Sequence, residues 1–140
     1  MYSANEVIAF IINWCYKNNV SITNLKLQKL LYFIQGEMYR ETKIRFIQDD
    51  FYVYKLGAVI PKIYNDFSIF SSFQIPRLKK KVNFSDKEIL ILNKILYEYA
   101  NKTTWDLVSL SCSEDPCKYT YELFGNNSKI SFGSIANYYE

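Results

Sequence analysis

Histidine is missing from the chain altogether. That removes the commonest general base, the commonest metal ligand and the usual partner of a serine or cysteine nucleophile. Glycine is scarce, and Gly36, Gly57, Gly125 and Gly133 form neither GxGxxG nor GxxxxGK[ST], so the chain has no phosphate-cradling loop of either kind. No apolar run is long enough for a membrane span, and the first residues carry no signal-peptide pattern. The three cysteines, Cys15, Cys112 and Cys117, are an odd number without secretory features, which predicts free thiols and a cytoplasmic location.

The remaining reactive groups do not assemble a site. Cys112 and Cys117 have the spacing of half a zinc site, but no histidine completes it. Cys117 follows Pro116 near a helix start, where a thiolate could be stabilised, yet a buried inert thiol is the simpler reading. Glu114 and Asp115 are adjacent, whereas hydrolytic carboxylate pairs converge from separate elements. Helix capping and the helix dipole account for them. No catalytic residue, cofactor or metal is assigned, and a non-enzymatic binding module is expected.

Charge is mild, with 17 basic and 14 acidic residues. The one dense basic run, Arg77-Leu78-Lys79-Lys80-Lys81, has no aromatic interleaved with it and reads as a solvated loop. Nucleic acid is therefore not the expected partner. Aromatics are what the chain has in excess, 18% of residues, with 13 tyrosines. A ring with a polar tip suits edges and interfaces better than a deep core.

Periodicity predicts mainly helix. Ser3-Ala4-Asn5-Glu6 is a capping box before the apolar series Val7, Ile8, Ile11, Ile12 and Cys15, and that helix ends near Lys17-Asn18-Asn19. A second helix, capped by Thr23 or Asn24, buries Leu27, Leu30, Leu31, Ile34 and Met38, leaving Lys26, Lys29 and Glu37 off the stripe and Lys26, Lys29 and Arg40 in water. The two helices form a hairpin. Lys43–Ile47 and Asp50–Lys55 then read as short strands, with Phe51 and Val53 on one side and Tyr52 and Tyr54 on the other. Pro61 opens a short helix over 62–67, and residues 68–84 form a loop whose end, Lys81-Val82-Asn83-Phe84, offers a third short strand. Ser85-Asp86-Lys87-Glu88 caps a helix so apolar in its first half (Ile89, Leu90, Ile91, Leu92) that it belongs at the centre of the domain. Thr103 or Thr104, Pro116 and Ser131 begin three further helices, with a turn at Gly125-Asn126-Asn127. The fold class is α+β, mainly α: a compact helical domain with a small antiparallel sheet inserted after the second helix.

Three segments resemble one family. Leu25-Lys26-Leu27-Gln28-Lys29-Leu30-Leu31-Tyr32-Phe33 is similar to the "kLQKLLYf" helix of the Panacea, or SocA-like, antitoxin domain. Gly57-Ala58-Val59-Ile60-Pro61-Lys62-Ile63-Tyr64 resembles its "GPVvPevY" turn and helix, and Leu110-Ser111-Cys112-Ser113-Glu114-Asp115-Pro116-Cys117 its "LTH-x-e-x-PW" segment. Ala58 replaces the family's proline, Tyr54 and Cys117 replace tryptophans, and Cys112 replaces a histidine, marking a divergent member. The resemblance implies one domain over residues 1–140 that neutralises a toxin by direct protein contact or delivers it to a protease, with no enzyme activity. A phage-borne inhibitor of a host defence system, such as an anti-CRISPR, is the alternative within protein binding, and a small nucleic-acid binder the alternative outside it. Gln28, Lys29, Tyr32 and Phe33, lying partly off the leucine stripe, with Tyr52, Tyr54 and Tyr64 on the adjacent strand and turn, form the candidate partner-binding patch.

Overall fold

Local capping chemistry sets most helix starts in the computed structural model, which describes residues 1–81 and 83–140. Helix α1 (Ala4–Lys17) begins on the Ser3/Glu6 capping box, and α2 (Asn24–Thr42) on the Thr23 hydroxyl, which accepts from the Lys26 N–H. Strands β1 (Phe51–Tyr54) and β2 (Gly57–Val59) form a hairpin, followed by α3 (Pro61–Asp66) and one 3-10 turn, Ser68–Phe70. Helix α4 (Asp86–Tyr99) starts on the Ser85/Glu88 box, α5 (Thr104–Ser113) on Thr103, and α6 (Asp115–Phe124) with Pro116 in its first turn. Strand β3 (Ser128–Ile130) and helix α7 (Phe132–Tyr139), capped by Ser131, complete the chain. The mainly helical α+β architecture matches the fold class read from the sequence.

The sheet runs β2-β1-β3 and is antiparallel throughout, with Tyr52 opposite Val59 on one side and Lys129 on the other. Phe51 and Val53 are buried while Tyr52 and Tyr54 are half-exposed, the alternation a one-sided sheet requires. Gly57 opens β2. Its φ is +99°, and a Cβ there would stand 2.5 Å from Ser111 Oγ of α5.

Four expectations are corrected. The strand over 43–47 does not form, because the backbone of Ile47 is already engaged. Gln35 of α2 donates to its carbonyl and accepts from its N–H, both at 2.9 Å. What survives is one parallel bridge to Tyr2. The strand expected at 81–84 falls partly on Val82, outside the described residues; Lys81, Asn83 and Phe84 lie in no strand. The third correction concerns the centre of the domain. Helix α4 is a flank: Leu92, Ile95, Leu96 and Tyr99 face inward, but Leu90 is 72% exposed. The centre is α2. Helices α1, α4, α5 and α7 and strand β2 all pack on it, and it is buried on nearly every side. Lys29 has no exposed surface and Lys26 very little, so neither sits in water.

Gly36 lets that enclosure close. The ring of Tyr139 crosses α2 over it, and a Cβ at this position would come within 2.4 Å of the ring. One apolar cluster then runs from Ala4 and Val7 through α2 to Ile135 and Tyr139.

Candidate partner-binding surface

Four buried polar residues of α2, Asn24, Gln28, Lys29 and Gln35, each meet a backbone group of the chain that follows. Gln28 Oε1 accepts from the Ile60 N–H at 3.0 Å, and its Nε2 donates to Asn24 Oδ1 at 3.1 Å. Asn24 Nδ2 donates in turn to the Tyr64 carbonyl at 2.9 Å. Lys29 Nζ donates to the Ala58 carbonyl at 2.8 Å. Together they hold β2 and the start of α3 against the central helix, giving buried main-chain groups partners they would otherwise lack. Burial pulls the Lys29 ammonium down to about 8, with Cys117 and Cys112 acting in the opposite direction.

Tyr32 and Phe33 occupy the next turn and are also fully buried. Phe33 stacks on Tyr99 with ring centroids 4.5 Å apart. The hydroxyls of Tyr32 and Tyr139 donate to the same carboxylate oxygen, Glu114 Oε1, at 2.9 and 2.6 Å. Burial pushes the Glu114 carboxyl above its ordinary range, and the two tyrosine hydroxyls oppose that. Nearby, Tyr99 donates to Glu37, which also pairs with Arg40 at 3.1 Å. No buried side-chain nitrogen or oxygen among the described residues lacks a hydrogen-bond partner. The network is closed on itself.

Cys117 is buried, and burial pushes its thiol up to about 12; Cys15 is raised to about 11 for the same reason. Both remain thiols at neutral pH, so neither offers the thiolate a nucleophile requires. Among the described residues no group of three or more cysteine, aspartate and glutamate side chains is placed to hold a metal ion.

Tyr52, Tyr54 and Tyr64 reach the surface. Tyr54 and Tyr64 meet edge-to-face, ring centroids 6.2 Å apart. Tyr52 and Tyr54 border an open cleft of about 500 Å³, shared with Asp49, Asp50, Pro61, Lys62 and Asn127. Burial would raise the Asp50 carboxyl, but hydrogen bonds from Arg45 and Lys129 hold it below its ordinary range, and both cations pair with it, at 3.1 and 3.2 Å. The seven residues singled out from the sequence therefore divide. Gln28 and Lys29 are buried and tie residues 58–60 to α2, Tyr32 and Phe33 are buried against Glu114 and Tyr99, and Tyr52, Tyr54 and Tyr64 are at the surface. Sequence reasoning missed Asn24, Gln35, Glu114 and Tyr139 as members of this framework. The signal available was the row Asn24, Gln28 and Gln35, amides recurring along one face of a helix that already had its leucine stripe.

Comparison with known families places residues 27–117 under the model described as antitoxin SocA-like, Panacea domain. The matched segment runs from α2 to the first turn of α6 and includes Gln28, Lys29, Tyr52, Tyr54, Tyr64 and Glu114. No curated protein and no solved structure matches the chain.

Proposed function

The chain belongs to the SocA-like antitoxin, Panacea domain family, and from that premise we propose that it neutralises a partner toxin by direct protein–protein binding. The match over residues 27–117 carries this reading. The distribution of chemistry supports it. Buried Lys29 and Glu114 are committed to internal partners, and buried Cys117 is held as a neutral thiol. On the surface, Tyr52 and Tyr54 border an open cleft with Tyr64 packed beside Tyr54, a composition that suits binding hot spots. In this account Tyr52, Tyr54 and Tyr64 contact the toxin, and Gln28, Lys29, Tyr32 and Phe33 set the angle at which they are presented. The protein works without catalysis, in the cytoplasm, by occluding the toxin's working surface. Handing the toxin to a protease is the variant mechanism.

Co-expression with the product of the adjacent gene in a bacterial host tests the proposal through growth. Growth restored by the intact chain, together with co-elution of the two proteins, is the expected result. Rescue that persists in a host lacking its ATP-dependent proteases assigns occlusion rather than delivery. Absence of both rescue and complex refutes the reading.

A further inference from the structure

The basic run that reads as a bare loop along the chain is not bare in space. Residues 75–81 lie against α1: Ile75 donates its N–H to the Ile22 carbonyl at 2.8 Å and accepts from the Tyr16 hydroxyl at 2.6 Å, and Asn13 Nδ2 donates to the Lys80 carbonyl at 3.3 Å. Leu78 packs on the core between these ties. Lys17 of α1 joins Arg77, Lys79, Lys80 and Lys81, all five exposed, and no ion pair among the described residues engages any of them. Two adjoining grooves of about 480 and 590 Å³ share Asn13, Lys17, Lys80 and Lys81, so they make one trough. Half-buried Trp14 and Phe10 line it, with the amides of Asn83 and Asn93, and no carboxylate does.

We infer that this trough binds single-stranded nucleic acid. Three kinds of surface meet there, and each has a counterpart in that ligand: ammonium and guanidinium groups for phosphates, an indole for base stacking, and side-chain amides for base edges. An acidic peptide would answer the cations and leave the indole and amides without a match. The sequence argument against nucleic acid rested on the lack of an aromatic near the basic run. Trp14 supplies it from α1, more than sixty residues earlier. The inference is independent of toxin neutralisation.

The test uses the full chain carrying Trp105→Phe, an exposed position on α5, so that indole emission reports Trp14 alone. Fluorescein-labelled 12-nucleotide oligouridylate and oligothymidylate are titrated by anisotropy at low salt, alongside a 12-residue glutamate-rich peptide. Expected are micromolar binding of at least one oligonucleotide, quenching of Trp14 emission, and a log–log salt slope of roughly −0.7 per phosphate engaged. The surface variant Lys79→Glu/Lys80→Glu should lose at least tenfold in affinity with an unchanged melting temperature. Failure to bind either oligonucleotide overturns the inference. So does a glutamate peptide that binds as tightly as the oligonucleotides, or oligonucleotide binding that leaves Trp14 emission untouched.

Discussion

Replacing Lys29 by methionine isolates the cost of a buried charge. The native ammonium has its pKa drawn from 10.5 to about 8, chiefly by burial. Below pH 8 both the folded and unfolded chains carry the proton, and the folded one holds it in a poor environment. At 1.36 kcal/mol per pKa unit that is a cost of about 3 kcal/mol. As pH rises through 8 the folded chain releases the proton while the unfolded chain keeps it up to 10.5. The unfolded state then binds more protons, so stability climbs with pH across this window. Between about pH 7.5 and 9.5 the gain from Lys29 alone is about 2 kcal/mol. The methionine variant cannot make that gain. It also leaves the Ala58 carbonyl without its donor, a loss of about 1–3 kcal/mol that nearly offsets the relief of the charge at neutral pH. Cys15 and Cys117, raised to about 11 and about 12, act in the opposite direction on the alkaline side, but they are present in both proteins. Urea unfolding followed by far-ultraviolet circular dichroism at the two pH values should therefore show the wild type gaining about 2 kcal/mol relative to Lys29→Met. Parallel pH dependences would mean that Lys29 is solvated, and its buried bond to the Ala58 carbonyl would fall with that result.

Gly36→Ala should lower stability by about 2–3 kcal/mol in thermal unfolding, since its Cβ meets the ring of Tyr139. Combined with Tyr139→Leu the loss should be less than the sum of the two single changes. Glu114→Gln retains the acceptor for Tyr32 and Tyr139 without the charge, so near pH 7 it should melt at or above the wild type. Because the Glu114 carboxyl is raised in the folded state, its effect favours folding below the ordinary carboxylate range and is lost as pH rises through the folded pKa. The glutamine variant should lack that dependence. Glu114→Ala strands two buried hydroxyls and should cost about 2–5 kcal/mol by chemical denaturation.

Helix starts were legible because capping is local: Ser3 with Glu6, Ser85 with Glu88, Thr103 and Ser131 each act within a single turn. The alternation of Phe51, Tyr52, Val53 and Tyr54 was legible for the same reason. Strands β2 and β3 were not, because three-residue strands take their character from partners; β3 pairs with a strand more than seventy residues earlier. The centre of the domain was misplaced because hydrophobicity alone ranked α4 above α2. Gln28, Lys29 and Gln35 are tolerated inside α2 by backbone groups of residues 47–60, and that pairing has no local signature. The tyrosines could be named from the sequence, but not that Gln28, Lys29, Tyr32 and Phe33 would be buried.

The most direct test of the central claim is calorimetric titration of the purified adjacent-gene toxin into the wild-type chain and into Tyr52→Ala/Tyr54→Ala/Tyr64→Ala. The account predicts a stable complex with the wild type and a loss of at least a hundredfold in affinity with the triple variant, at nearly the wild-type melting temperature. Equal affinity for the two folded proteins would contradict it.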